Sequence, residues 1–233
     1  MLLALINGSI LSASFPPILA IMAFTSLFEE LKERYQLMSE FEEQAFLNGY
    51  RLVGGMDEAG RGPLAGPVVA AAVILDPEQP VYGVNDSKKL SEKRRAVLKP
   101  LIEAQAISFG IGIVDEQTID RINILEATKE AMQKAVAALD PEPELLLIDA
   151  LTIPRIRIPQ QGIIKGDAKS VSIAAASILA KETRDAIMRA YDEIYPQYGF
   201  AKHKGYGTKE HIEAIRTYGP CPIHRRSFIK NFV

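Results

Sequence analysis

Four acidic residues stand at or just past the ends of apolar, strand-like runs: Asp57 and Glu58 after Leu52 to Met56, Asp149 after Leu145 to Ile148, and Asp167 just after Ile163-Ile164-Lys165-Gly166. Strand ends of one sheet can converge, and carboxylates buried side by side are strongly unfavourable unless cations neutralise them, so convergence implies bound metal. All-oxygen ligation selects Mg²⁺ or Mn²⁺ over zinc. On a straight strand Asp57 and Glu58 would face opposite sides, so the strand is expected to bend or end there, with Gly60 and Gly62 supplying the conformational freedom. An Asp-Glu pair taken alone reads as a solvated turn, and the shared strand-end context leaves that reading and a metal site open side by side. A metal site of this kind hydrolyses a phosphodiester with two ions about 3.5–4 Å apart, one acidifying the attacking water and the other steadying the leaving oxygen. No Walker-type Gly-x-x-x-x-Gly-Lys-Ser/Thr loop or Ser-His-Asp constellation competes with it.

The remaining pattern supplies a sheet to carry these acids. Arg51 to Met56 and Pro67 to Leu75 read as two strands around a Gly-rich turn, and Ile107 to Val114 as a third. Ser91 caps a helix running to about Ala104, and a helical stretch from Glu116 to Leu139 breaks near Asn123. Leu145 to Ile148 suits a buried central strand, with Ile163-Ile164 leading to Asp167 in the same way. Ser170 to Ala190 and Thr208 to Tyr218 read as helices. Early strands close together, then helix and strand in alternation, predict an α/β sheet with mixed strand directions. Upstream, Phe28, Leu31, Tyr35, Met38, Phe41 and Ala45 recur at helical spacing before Asn48-Gly49, which predicts one amphipathic helix.

A chain of 233 residues, 48% hydrophobic, has room for one sizeable core and a small appendage but not for two full domains. A formal charge of −2 excludes a strongly basic coat. From Pro196 onward, however, seven Lys/Arg face two acids, a stretch that reads as solvated surface or as a phosphate-binding patch. Cys221 is the only cysteine, so no internal disulfide forms, and three scattered histidines argue against a Cys/His zinc site. A reducing cytoplasm fits. Met1 to Phe28 carries no charged side chain, yet it lacks a basic leader and is interrupted by Gly8, Pro16-Pro17 and serines. A packed or disordered extension, or an overlong start of the reading frame with Met22 or Met38 as the true start, is expected rather than a membrane or export role.

At the acids the sequence stops being generic. Met56-Asp57-Glu58-Ala59-Gly60-Arg61-Gly62-Pro63-Leu64-Ala65-Gly66-Pro67-Val68 resembles the opening motif of the ribonuclease HII family. Asp86-Ser87-Lys88-Lys89-Leu90-Ser91, Ile148-Asp149-Ala150, Lys165 to Ser170, Ala174 to Lys181, Arg184-Asp185, His203 to Thr208 and His224 to Phe228 are similar to later segments of that family, in order. The resemblance covers about Arg51 to Phe228. It implies a ribonuclease H-like α/β fold, a five-stranded mixed sheet flanked by helices, with a helical C-terminal portion that contacts nucleic acid. Residues 1–48 would then be an N-terminal extension and 49–233 the catalytic domain.

The resemblance further implies that Asp57, Glu58, Asp149 and Asp167 are the catalytic, metal-binding acids, using Mg²⁺ or Mn²⁺. Gly60, Arg61 and Gly62 would read the 2′-OH and the adjoining phosphate, a group that separates RNA from DNA. Ser87, Lys88 and Lys181 would touch the substrate, and Tyr206 would pack on the deoxyribose after the ribonucleotide. Arg61 and Tyr206 also read as a turn residue and a loop anchor, and the lysines as surface residues. Outside the resemblance, His203 and His224 suit structural hydrogen bonding better than catalysis. The implied partners are RNA/DNA hybrid and DNA containing ribonucleotides, for a cytoplasmic monomer without stable membrane association. A non-catalytic nucleic-acid-binding module on the same fold would need one of the four acids replaced, and none is. Arg61 and the short, helical N-terminal region separate the chain from the related ribonuclease HIII. Ala150 stands where glycine is also common in the family, and Met1 to Phe28 lies outside the pattern.

Overall fold

The computed structural model describes residues 17–231, with side chains from residue 25 onward. The first part of the apolar stretch, residues 1–16, lies outside the described residues. Among the described residues, no helix is long and apolar enough to cross a membrane.

The Val-, Ile- and Ala-rich runs form five strands: β1 Val53–Ala59, β2 Val68–Leu75, β3 Ala106–Val114, β4 Leu145–Asp149 and β5 Gln160–Ile163. Their order is β3-β2-β1-β4-β5. β1 pairs antiparallel with β2 and parallel with β4, β2 pairs antiparallel with β3, and β4 pairs parallel with β5, so the sheet is mixed as its pattern predicts.

Strand β2 sits between two helix layers and is buried along its whole length. With period 2, Ala71, Val73 and Leu75 join one core with α3 (Glu92–Gln105) and α6 (Val171–Ile194). Ala70, Ala72 and Ile74 join the other, with α5 (Ile124–Ala137). The run of small residues Ala174, Ala175 and Ala176 lets α6 lie close to the sheet. At Gly55 the approach is closest: a Cβ there would collide with the backbone of Ser172 and Ile173.

Local signals set most boundaries. Ser91 and Ser170 cap α3 and α6 by accepting from Arg94 and Ile173 N–H, and Thr208 caps α8 (Lys209–Tyr218) in the same way. Asn123, at φ 69°, ends α4 (Glu116–Ile122) and caps α5. Short helices α7 (Phe200–His203) and α9 (Arg226–Ile229) complete the C-terminal part. It has its own core around Leu64, Met188, Phe200, Ile215 and Ile229.

The single helix expected over Phe28 to Asn48 is instead two, α1 (Pro17–Met38) and α2 (Glu40–Leu47). Ser39 marks the break, its hydroxyl donating to the Tyr35 carbonyl at 2.8 Å. The strand expected through Ile163-Ile164 stops at Ile163, leaving Ile164 74% exposed.

The break at Ser39 precedes a helix whose Glu42 and Ala45 are buried. Glu42 Oε1 accepts from Ser170 Oγ at 2.5 Å and from Ser172 N at 3.0 Å, tying α2 to the start of α6. Burial raises the Glu42 pKa although these hydrogen bonds oppose it. A raised folded-state value means that the fold binds more protons than the unfolded chain, so this group favours folding more as pH falls. We expect Glu42→Gln, which keeps the acceptor and removes the buried charge, to be at least as stable as the parent at pH 7. Thermal melts should show the gap narrowing as pH drops through the raised carboxyl value towards the ordinary one. A gap that widens at low pH would refute the assignment.

Candidate active site

Strands β1 and β4 stay in register from Val53 and Leu145 up to Met56 and Ile148, and then their pairing stops. The next residues, Asp57 and Asp149, therefore stand side by side at the sheet's C-terminal edge, about 4.8 Å of strand spacing apart and on the same face. β1 does not end at Asp57. It runs on to Ala59 because β2 keeps pairing with it, Asp57 with Ala71, Glu58 with Ala70 and Ala59 with Val69. Glu58, next along the strand, still repels the Asp57 carboxyl and is itself repelled by Asp149, so the acids meet where the pairing of β1 with β4 ends.

Asp57 is buried and lies on the α6 side, where the Ser177 side chain and the Glu58 N–H donate to it. Asp149 Oδ1 accepts from Gly166 N at 2.7 Å, which pins the turn holding Asp167 (Gly166–Ala168) against the end of β4. Burial, then repulsion by Glu58 and Asp149, pushes the Asp57 carboxyl well above its usual range. Burial raises Glu58 too, with Arg61 opposing it and Asp149 adding to it. Asp167 is raised by burial, by Asp86 and by Asp149, while Lys88 opposes. Asp149 is thus the common repelling neighbour of the other three acids.

Two cations face this charge. Arg61 Nη1 lies 3.3 Å from Glu58 Oε1, and Lys88 Nζ lies 4.0 Å from Asp167 Oδ2. The Lys88 pKa is raised: desolvation lowers it, but Asp57, Asp167, Asp86 and Asp149 together outweigh that. Among the described residues, no three or more His, Cys, Asp or Glu side chains form a ready metal cage. The donor chemistry nevertheless fits a hard divalent cation. All candidate donors are carboxylate oxygens, their charges repel, and Glu58 Oε2 is buried with no hydrogen-bond partner.

The segment from Gly60 to Pro67 is held by two buried guanidiniums. Arg225 donates to the carbonyls of Gly60, Arg61, Pro63 and Gly66. Arg184 donates to those of Ala65, Pro67 and Lys204. Gly60, at φ 98°, packs so tightly on Arg184 that a Cβ would overlap its side chain. Lys204 O and the bond from Leu64 N to Gly205 O join this loop to the one bearing Tyr206. Tyr206 is 45% exposed, and a Cβ on Gly62 would lie 3.9 Å from its Cε1.

The expected site residues therefore divide into groups. Asp57, Glu58, Asp149, Asp167 and Lys88 gather at the strand ends, Arg61, Gly62 and Tyr206 form an adjoining exposed rim, and Gly60 lies buried beneath it against Arg184. Ser87 is buried, its hydroxyl 2.8 Å from that of Ser177 beneath Asp57. Lys181 pairs with buried Asp185 at 2.8 Å, in a network with Arg95 and Glu182. Sequence reasoning passed over Asp86, Ser177, Arg184, Arg225 and His211. Arg184, Arg225 and Asp86 lay inside recognised segments, but nothing in their identity announced burial against backbone carbonyls or a place beside the acids.

Known proteins resemble this chain along most of its length. The family model described as ribonuclease HII matches residues 54–231. Ribonuclease HII of Acetivibrio thermocellus is 61% identical over 206 residues, 88% of this chain and 80% of that protein. Its counterpart from Bacillus subtilis is 56% identical over 198 residues, covering 85% and 77%. The crystal structure of ribonuclease H2 from Pyrococcus horikoshii superposes with a TM-score of 0.65 at 27% identity, covering 78% of this chain and 97% of that one.

The raised carboxyls generate a stability prediction. An ionised acid whose folded pKa is raised costs the fold stability at neutral pH, and the cost disappears as pH falls through the folded value towards the unfolded one. In a chelator at pH 7.5, Asp57→Asn should therefore melt higher than the parent, by about 2–4 °C per kcal/mol of repulsion relieved. Millimolar Mg²⁺ or Mn²⁺ should raise the parent's Tm and raise the variant's less. Equal shifts in both proteins would remove Asp57 from the cation's environment.

Proposed function

The chain belongs to the ribonuclease HII family, and from that premise we propose that its sheet-edge carboxylates cut RNA strands of RNA/DNA hybrids and nick DNA on the 5′ side of embedded ribonucleotides. The observation that carries this reading is one juxtaposition. Four acids at the diverging ends of β1, β4 and β5 adjoin a rigidly held Gly60-Arg61-Gly62 segment with the exposed Tyr206 at its side.

Asp57, Glu58, Asp149 and Asp167 would hold the divalent ions, Mg²⁺ or Mn²⁺. When bound, these supply Lewis-acid charge to the phosphodiester and a water that ionises near neutral pH. By holding those ions the carboxylates would set where the scissile phosphate sits, and Lys88 and Arg61 add positive charge beside it. Gly62 leaves exposed backbone bare for close approach to the ribose, with buried Gly60 fixing its path, and polar backbone groups there can test for a 2′-OH. Tyr206 offers a ring for the following sugar, so the two loops together span a ribonucleotide and its 3′ neighbour. Water adds to phosphorus, the P–O3′ bond breaks and the released oxygen takes a proton, leaving a 3′-hydroxyl and a 5′-phosphate.

Ser87 and Lys181 support the substrate surface from behind in this reading, through Ser177 and Asp185. Residues 1–48 as an extension and 49–233 as the catalytic domain, a monomeric state and a cytoplasmic location belong to the same proposal.

A labelled DNA duplex with a single ribonucleotide, an RNA/DNA hybrid and an all-DNA duplex, each with Mg²⁺ and then Mn²⁺, test it. The expected result is a nick 5′ to the ribonucleotide, cutting of the hybrid and no cutting of DNA. Asp149→Asn should lower kcat/KM on both substrates at least about a hundredfold, several kcal/mol of transition-state stabilisation. Full activity of that variant would end the carboxylate assignment, and absence of cutting by the parent with either metal would favour a binding module.

A further inference from the structure

The C-terminal part contains a hydrogen-bonded line of imidazoles for which the chemistry above has no use. Cys221 N–H donates to His224 Nδ1 at 3.0 Å, His224 Nε2 and His211 Nε2 are 3.0 Å apart, and His211 Nδ1 lies 2.9 Å from the Tyr206 carbonyl. Both ends of this line are backbone groups of fixed polarity, a donor at Cys221 and an acceptor at Tyr206. Only one arrangement of protons satisfies every link. His224 accepts at Nδ1 and donates from Nε2, and His211 accepts at Nε2 and donates from Nδ1. Both rings are neutral, since a further proton on either would set two N–H groups against each other.

The surroundings agree. His211 and His224 are fully buried, and burial pushes the pKa of each down to about 4. A third ring, His203, stacks on His211 with centroids 4.5 Å apart. It accepts from Gly205 N–H at Nδ1 and so donates from Nε2 to the Tyr198 carbonyl at 2.7 Å. Tyr206 N–H donates to the His203 carbonyl at 2.9 Å. The backbone of Gly205 and Tyr206 is therefore gripped from both sides by this histidine cluster. The Tyr206 side chain, by contrast, remains 45% exposed.

We propose that His211, with His224 and His203 behind it, is a positioning residue for Tyr206, and that this backbone grip sets the preference for a ribonucleotide–DNA junction over a uniform hybrid. The inference rests on the reading above in which Tyr206 meets the sugar after the ribonucleotide. It concerns only the fixing of that ring, because the carboxylates lie on other elements and keep their own hydrogen bonds. Orientation of an exposed ring costs conformational entropy when substrate binds, and a backbone held in advance reduces that cost.

The chemistry of the amide side chains separates positioning from mere packing. In His211→Asn the amide nitrogen can occupy the place of Nδ1 and still donate to the Tyr206 carbonyl. In His211→Gln the amide lies near Nε2, facing His224, and the bond to Tyr206 is lost. Asn is a methylene smaller than Gln and leaves the larger void at this buried position, so an effect of packing alone would fall harder on the Asn variant.

The readout is the ratio of kcat/KM on a duplex with a single ribonucleotide to that on a uniform RNA/DNA hybrid, with melting temperatures measured alongside. The ratio should fall about tenfold in His211→Gln, corresponding to about 1.4 kcal/mol, and stay within about twofold of the parent in His211→Asn. Combined with Tyr206→Ala, His211→Gln should lower the ratio no further, as expected when one residue acts through the other. If His211→Gln does not fold, His203→Gln, which withdraws the acceptor from Gly205 N–H, serves in its place.

Equal ratios in parent, Gln and Asn variants overturn the proposal, as do equal falls in the Gln and Asn variants or additive falls in the double variant. A parent with no junction preference, or one whose ratio Tyr206→Ala leaves unchanged, instead removes the reading of Tyr206 on which the proposal stands.

Discussion

Two buried arginines spend their hydrogen bonds on backbone carbonyls, and the working end of this molecule depends on them. Arg225 and Arg184 between them hold six carbonyls of the segment from Gly60 to Pro67, and Arg184 also holds that of Lys204. Each charge-assisted bond contributes about 1.5–3 kcal/mol, while taking a guanidinium out of water costs several kcal/mol. Burial accordingly pushes Arg184 down to about 10 and Arg225 to about 9. The opposing energies largely cancel, so the gain is one of position. A planar fork that satisfies several carbonyls fixes the path of a glycine-rich segment that would otherwise sample many.

That fixed path matters because of where the segment begins. β1 carries Asp57 and Glu58 up to Ala59, and Gly60 follows at once, so the clamp sets the geometry of the acids' own strand as it leaves the sheet. Pairing with β4 ends one residue before Asp57, while pairing with β2 continues beyond it. The acids thereby meet where the pairing of two parallel strands ends, largely buried, with their mutual repulsion held in a rigid frame. Arg61 and Lys88 compensate part of the charge, and the unpartnered Glu58 Oε2 marks what remains. Through Lys204 and Gly205 the same clamp joins the acids' rim to Tyr206, so cleavage chemistry and sugar recognition share one support.

Much of this was readable from the chain. Apolar runs pointed to an α/β sheet of mixed strand directions, the resemblance implied its five strands, Ser91 and Asn123 marked helix boundaries, and acids at strand ends pointed to the site. What was not readable depends on tertiary neighbours. Nothing local says that β2 would keep pairing with β1 through Glu58, because that follows from pairing across the Gly60–Pro67 turn. Ser39 breaks a helix that its apolar spacing would continue. Ser87 and Lys181, read as substrate contacts, are engaged by Ser177 and Asp185 on α6, which lie far along the chain from Ser87. Arg225 looks like solvated surface in a basic region and Arg184 like one more charge on a helix, and only the folded chain shows them buried. The three histidines looked scattered because the turns that stack them are tertiary features.

The central claim is that the clamp, rather than the loop's own preferences, orders residues 60–67. Amide hydrogen exchange on Arg225→Gln tests it most directly, with strands β1 and β2 as internal reference. The account predicts that exchange in the 60–67 segment and at Gly205-Tyr206 accelerates at least about tenfold while the strand amides keep their protection. Unchanged exchange in that segment would contradict it, and so would a uniform acceleration across the sheet.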